Sequence, residues 1–431
     1  MKKLSSWGNT SNLNHETHTL FDADQAQSLI ANNRNGIVYA MGRSYGDACL
    51  NPGGIALENT NLDRLLSLDE ELGILECESG VTLKFLQEFL IPKGWMLPVS
   101  PGTQYVSVGG CIANDIHGKN HHLFGSFGNH VLEILLLQSS SSPILCTPDQ
   151  NKDLFKATLG GIGLTGIIYS CKIKLRKIAG PWLETESISF RNLESFFNLS
   201  DASEADWEYT AAWIDCMSKG STRGIFERGK HIEASKAHKN KSITFPFTPP
   251  FSLVNEFSLR LFNPLYFAFK NLFSGKKKIQ HYTKFLHPLD NILNWNRMYG
   301  PKGFYQFQCV IPSENRKEVV NEMLQLILKS QTGSFLAVLK TFANFEPIGF
   351  LSFAGPGVTL ALDFPNQGLK THTLFHELES IVQSANGKIY LAKDMLMTKS
   401  GFESMYPHIE TFKRFRDDNL SSQMSKRLLG S

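Results

Sequence analysis

The chain of 431 residues has no Cys-x-x-Cys pair among its seven cysteines, no apolar window of about 18 residues, and a net charge of only +3 from 43 basic and 40 acidic side chains. Each lack removes a class of protein. Scattered cysteines suit a reducing cytoplasm better than a disulfide-stapled secreted domain, and they offer no paired thiolates to a structural metal. No spanning helix is expected, and the balanced charge gives no reason to expect nucleic acid as a partner. Lys2 and Lys3 are followed by no apolar run, so no secretory signal is expected either. The expected location is the cytoplasm, with contact at the inner face of a bacterial membrane left open.

What is present is glycine placed for close approach. The segment Ser107-Val-Gly-Gly-Cys-Ile-Ala-Asn-Asp-Ile-His-Gly-Lys-Asn-His-His-Leu-Phe-Gly-Ser-Phe-Gly-Asn-His130 combines a glycine pair, a short apolar run and a cluster of His, Lys and Asn. Adjacent glycines let backbone approach a flat or anionic ligand and free N–H groups to cradle it. Two further glycine segments, Gly42-Arg-Ser-Tyr-Gly-Asp47 and Leu159-Gly-Gly-Ile-Gly-Leu-Thr-Gly166, adjoin strand-like runs. None is followed by Gly-Lys-Ser/Thr, so none is a Walker loop. Taken singly, each is equally well a structural turn.

Their order and spacing, together with Pro101-Gly-Thr103, Gly163-Leu-Thr-Gly166, Trp295-Asn-Arg297, Gln306, Gln308, Lys340, Asp363-Phe-Pro365 and Tyr390-Leu-Ala-Lys-Asp394, resemble the vanillyl-alcohol oxidase and p-cresol methylhydroxylase superfamily of flavoproteins. The resemblance implies an α+β, two-domain p-cresol methylhydroxylase-type FAD-binding fold with an antiparallel-sheet substrate domain. Residues 1–180 would bind FAD and 181–387 would form the substrate domain. Residues 388–431 would return to the first domain. The implied activity is oxidation of a secondary sugar hydroxyl, on a pentose carried by polyprenyl phosphate, to a keto sugar. A separate short-chain reductase would complete an epimerisation. A soluble alditol or sugar-lactone oxidase, or a flavin-binding protein without catalysis, remain the alternatives.

By the same resemblance FAD would be held by Gly42, Arg43, Ser44, Tyr45, Gly46, Gly102, Thr103, Gly109, Gly110, Ala113, Ile116, His117, Gly118, Lys119, Gly163, Gly166, Ile168, Tyr390 and Lys393. No metal site is expected, since Gly118 and Asn120 spoil the helix that would align His117 with His121 or His122. Met41–Leu50 contains no His for covalent attachment, so the flavin should be non-covalent. Lys393, Gln306, Gln308, Lys340 and His117 are the candidate catalytic residues. A lysine at the flavin would answer the negative charge that builds on the ring, although without the resemblance Lys393 reads as a strand-end lysine paired with Asp394. Gln306 and Gln308 flank Phe307 and share one strand face, where two amides suit sugar hydroxyls. Ala361 and Leu286 stand where lipid-linked-sugar oxidases of the superfamily carry a cysteine and a tyrosine, which makes the expected pocket less polar.

Periodicity predicts helices over 23–33, 83–93, 314–329 and 371–385, and strands over 36–41, 74–77, 131–138, 166–174, 209–215, 304–311, 335–341, 358–364 and 387–393. Residues 406–429 read as polar helix. Residues 229–278 fit neither texture: a basic run, a stretch rich in Phe and Pro, then Lys276, Lys277 and Lys278. They read either as a packed lobe or as a mobile cover that meets a lipid substrate or an anionic bilayer.

Overall fold

The computed structural model describes residues 1–11, 13–220, 222–236 and 242–430. Near the N-terminus β1 (Lys2–Leu4), β2 (Leu13–Thr19), β3 (Gly36–Tyr39) and β4 (Ile55–Glu58) form a sheet in the order β1-β2-β4-β3. β4 runs parallel to both β2 and β3. Helix α1 (Ala23–Asn32) is the crossover, started by Asp22, whose carboxylate accepts from the Gln25 backbone N–H at 2.8 Å. A second, antiparallel sheet orders β5 (Leu65–Asp69), β6 (Ile74–Glu78), β7 (Val131–Leu137), β8 (Ile144–Cys146) and β9 (Ile167–Lys174) as β5-β6-β9-β7-β8. α2 (Leu83–Leu90) and α3 (Val108–Ala113) bury Leu83, Leu86, Val108 and Ile112 against Leu75, Ile134 and Ile173 of this sheet. α2 stops before the expected Lys93: Pro92 cannot donate a helical hydrogen bond, and Gly94 turns the chain at φ +78°.

The third sheet is antiparallel and eight-stranded. It orders β10 (Trp182–Phe190), β11 (Tyr209–Ile214), β12 (Gly224–Ile232), β13 (Lys277–His281), β14 (Phe304–Ile311), β15 (Ala337–Phe342), β16 (Gly357–Pro365) and β17 (Lys388–Ile389) as β13-β10-β12-β11-β15-β16-β14-β17. Because successive strand residues point to opposite faces, Phe307, Leu339, Leu360 and Leu362 all lie on one face. There they join a core with Phe196 of α4 (Leu193–Asp201), Met323 and Ile327 of α6 (Arg316–Ser330), and Phe375 and Leu378 of α7 (Leu369–Ser384). The Phe307 and Phe375 rings meet edge to face at 5.4 Å. Helix α5 (Glu256–Asn271) lies against β10 and β12. The expected α+β mixture with antiparallel sheets is therefore present.

Three expectations need correction. The strand expected over 387–393 is only Lys388–Ile389, and residues 391–393 form a turn. The helix expected over 406–429 is broken into separate short helices, the last being α8 (Gln423–Leu428). Residues 229–278 are no single loose segment: Gly229–Ile232 end β12, Lys277 and Lys278 begin β13, and α5 lies between. Residues 237–241 of the basic run lie outside the described residues.

Candidate active site

Register places the chemistry on the open face of the eight-stranded sheet. Gln306 pairs with Asp363. Gln308 pairs with Ala361, and Ala361 with Val338. Thr359 pairs with Lys340. These cross-strand rows form one wall of a cavity of ≈ 1090 Å³. Its opposite wall is the glycine loops, so the expected residues of both sets meet in one place. Gly42, Arg43, Ser44, Tyr45, Gly102, Thr103, Gly109, Gly110, Ala113, Ile116, His117, Gly118, Lys119, Gly163, Gly166, Ile168, Gln306, Gln308, Lys340, Tyr390 and Lys393 all line it, as do Ala361 and Leu286.

Gly46 is not among the lining residues. A Cβ there would stand 1.7 Å from the Asp394 carbonyl oxygen, so glycine is required for the first loop to lie against the Lys393 turn. The Tyr45 N–H donates to the Ala392 carbonyl at 3.0 Å, and the Tyr390 hydroxyl donates to the Asn114 carbonyl at 2.9 Å. The turn is thereby fastened to both glycine loops. The 107–130 loop is closed from inside by Asp115, fully buried at φ +38°. Its carboxylate accepts from the Gly128 N–H at 2.8 Å and the Ser352 hydroxyl at 2.5 Å.

Lys393 sits half-buried in this turn with its Nζ 3.6 Å from the centre of the Tyr45 ring, a cation–π contact. The pairing with Asp394 does not form; Asp394 instead accepts from Arg427 of α8 at 3.0 Å. Burial lowers the Lys393 ammonium and raises the Asp363 carboxyl, and each partly offsets the shift of the other. The two therefore titrate as an interacting pair. Asp363 is not among the candidate catalytic residues above, although Thr359 and Asp363, polar and four residues apart in an otherwise apolar strand, share one face.

The glutamine amides are not free for a sugar. Gln306 Nε2 donates to Asp363 Oδ1, while Gln308 Nε2 lies 2.9 Å from His117 Nε2 and 3.2 Å from Thr359 Oγ1. His117 Nδ1 lies 3.2 Å from Lys340 Nζ. Burial, with Lys340 beside it, holds the imidazole well below its usual value, so His117 is neutral. A neutral ring has one donor and one acceptor nitrogen. If Gln308 donates to Nε2, Nδ1–H faces Lys340 as a neutral amine; if the amide turns its oxygen to Nε2–H, Nδ1 accepts from the Lys340 ammonium. Burial brings Lys340 down to about 7, with Lys119 and Lys393 contributing, so both arrangements are accessible near neutral pH. Lys119 is also engaged, donating to the Phe285 carbonyl at 2.5 Å.

The wall fits a flavin dinucleotide. A Cβ on Gly102 would meet nothing within 4 Å, and one on Gly163 would meet only Ile37 Cδ1 at 3.7 Å. One on Gly110 would meet only the Ser107 hydroxyl, at 3.2 Å. This side of the cavity is thus bare backbone. Asp363 Oδ2, Tyr299 Oη and Asn114 Oδ1 are buried without hydrogen-bond partners among the described residues, and all three residues line the cavity. The volume exceeds the range of about 300–1,000 Å³ that serves drug-sized ligands. Cys49 and Cys111 also face it, but burial raises the Cys49 thiol to about 12 and Cys111 further, so neither is a thiolate.

Comparison with known proteins agrees with this geometry. A family model described as an FAD binding domain matches residues 25–144. Residues 1–431 align over 99% of their length, at 35% identity, with decaprenylphosphoryl-β-D-ribose oxidase of Mycolicibacterium smegmatis, covering 97% of that protein. An uncharacterized protein in the mprA 5′ region of Streptomyces coelicolor is 26% identical over 78% of this chain and 95% of its own length. Human delta(24)-sterol reductase is 30% identical over 27% of this chain and 22% of its own. The fold and cavity define an FAD-dependent oxidoreductase with a p-cresol methylhydroxylase-type flavin domain. Within that class, the chain belongs to the decaprenylphosphoryl-β-D-ribose oxidase family.

Proposed function

We propose that the protein oxidises a secondary hydroxyl of a pentose carried on polyprenyl phosphate, giving a keto sugar that a separate short-chain reductase then reduces to the epimer. The observation that carries this reading is the composition of the cavity lining. Lys340 of the sheet, Lys119 of the glycine loop and Lys393 of the turn supply cations for a phosphate and for the reacting hydroxyl, while Phe262, Tyr266, Phe335 and Leu336 give the same cavity an apolar part, as a phosphoryl group on a hydrocarbon tail requires. Bound FAD supplies the hydride acceptor. Lys393 and Asp363 hold the proton that the hydroxyl gives up, and His117, fixed by Gln308 and Lys340, orients the sugar.

Residues 1–180 with 388–431 act as the flavin unit and 181–387 as the substrate unit. The first two sheets fall within 1–180 and the third within 181–387 apart from Lys388–Ile389, which pairs with Val310 and Cys309 at its edge; the return of the C-terminus supports the division further, since the Ser421 N–H donates to the Gly36 carbonyl at 2.8 Å and Arg427 binds Asp47 at 2.9 Å. The protein works at the inner face of the membrane. The test is anaerobic mixing with polyprenylphosphoryl ribose, with free ribose and alditols as competitors for the reading. Loss of the flavin absorbance with the lipid-linked sugar alone supports it; equal loss with free alditols gives the soluble-oxidase alternative instead.

A further inference from the structure

Eleven of the nineteen large hydrophobic side chains exposed among the described residues fall between Ile243 and Phe273, so apolar surface is concentrated in one place rather than scattered. The helix α5 explains how. Its inner face, Leu259, Asn263 and Phe267, is buried, and Asn263 Nδ2 donates to Asp215 Oδ1 at 3.1 Å. Its outer face repeats at four-residue steps: Phe257 is 80% exposed, Leu261 57%, Leu265 61% and Phe269 60%, and Leu272 and Phe273 continue beyond its end. Phe247, Phe251 and Leu253 are exposed in the segment that leads into it. A helix held by one face and apolar on the other presents its outer ridge outward, and nothing among the described residues covers it.

We infer that the outer face of α5, with Phe247 and Phe251 before it and Lys276 and Lys277 after it, is a docking surface for an anionic lipid bilayer that sets the mouth of the cavity at the membrane. This rests on the reading of the substrate as lipid-linked. On the helix and just after it Arg260, Lys276, Lys277 and Lys278 are exposed, Arg260 pairing with Glu256, the helix's one acid, at 2.8 Å and Lys277 with Glu184 at 3.0 Å, which leaves a net positive rim. Anionic headgroups attract such a rim, whereas a second copy of the same surface repels it, which favours lipid over self-association. Lys276 and Lys277 are exposed at the end of the apolar ridge, where long cationic side chains reach headgroups while Phe and Leu enter the acyl boundary. The geometry is continuous with the cavity: Phe262, Tyr266 and Lys270 of the same helix line it. A polyprenyl tail leaving the bilayer beside α5 therefore reaches the catalytic wall along apolar side chains without crossing water. Among the described residues no helix is long and apolar enough to cross a membrane, so this contact lies in the plane of the interface.

The test uses the full-length, FAD-bound protein and sedimentation with vesicles of phosphatidylglycerol or of phosphatidylcholine. The native protein is expected to pellet with the phosphatidylglycerol vesicles and to be released by salt. A triple variant, Leu261→Ser, Leu265→Ser and Phe269→Ser, and a double variant, Lys276→Glu and Lys277→Glu, should each bind at least about tenfold more weakly. Both should keep FAD and oxidise detergent-dispersed substrate at the native rate, because none of the five residues lines the cavity. The proposal is overturned if the native protein stays in the supernatant or if the variants pellet as it does. It is also overturned if the ridge proves to join two copies, shown by a dimer that the triple variant converts to monomer. Vesicle binding by a protein that oxidises only free sugars would support the surface and defeat the substrate reading.

Discussion

Replacing Lys340 by Met separates what the cavity needs from what the fold needs. Burial brings this ammonium from 10.5 down to about 7. At about 1.4 kcal/mol per unit, keeping it on the wall costs the fold at most about 5 kcal/mol, and about 2 kcal/mol is a reasonable share after solvent relaxation. The sign follows from proton binding. Below about pH 7 folded and unfolded chains both hold the proton and the cost is complete; between about 7 and 10.5 only the unfolded chain gains it, so the cost fades as pH rises. Methionine has similar length and no charge. Lys340→Met should therefore melt about 2 °C higher than the native protein at pH 6.5, since a chain of this length moves about 1 °C per kcal/mol, and the gain should vanish towards pH 10.5. The same change removes the partner of His117 Nδ1 at 3.2 Å and, on the proposed function, a charge-assisted contact to the substrate phosphate. KM for a phosphorylated sugar should rise about 10- to 100-fold. Flavin-fluorescence melting across pH, with steady-state kinetics, checks both parts. A variant that is less stable at pH 6.5, or whose difference from native does not change with pH, refutes the reasoning.

Acid or heat should release all FAD, because no His stands in the first glycine loop and the cavity thiols are protonated; flavin that stays with the precipitate contradicts this. Gly110→Val should lose FAD retention while keeping the native circular dichroism, since its Cβ would meet only the Ser107 hydroxyl before entering the cavity. Lys393→Ala should slow anaerobic flavin bleaching by about 10² to 10³, and a rate within about threefold of native would remove Lys393 from the reacting groups. Arg427→Ala leaves Asp47, 1% exposed, and Asp394, 3% exposed, without their shared cation, so urea unfolding should show a loss of about 3 kcal/mol. Arg427 lowers an Asp47 carboxyl that burial still leaves at about 6; without it the folded chain keeps that proton to higher pH still, so the loss should grow as pH rises above about 6.

What was legible in the sequence is what alternation and glycine spacing carry. Phe304–Ile311 is a strand as read, with Gln306 and Gln308 on one face, because Phe307 and Cys309 on the other needed an apolar partner layer. Long-range pairing is what periodicity does not carry. Nothing local shows that Gln306 lies opposite Asp363 and so has its amide occupied. Gly46 reads as one more cradle glycine, yet its space is taken by a backbone segment nearly 350 residues away in sequence. Tyr390–Lys393 has strand composition, but the Tyr390 hydroxyl and the Ala392 carbonyl are held by the two glycine loops, and that overrides propensity in favour of a turn. The segment 243–273 is a similar case: its composition announces apolar surface, and only the packed inner face of α5 decides which side chains are left outside.

The most direct measurement is the structure of the product. Polyprenylphosphoryl ribose incubated with the FAD-bound protein and an electron acceptor, then trapped with borodeuteride, should yield sugar carrying one deuterium on a secondary carbon, with the phosphoryl lipid intact. Deuterium on a primary carbon, or label found only when free alditols replace the lipid-linked sugar, would contradict the account.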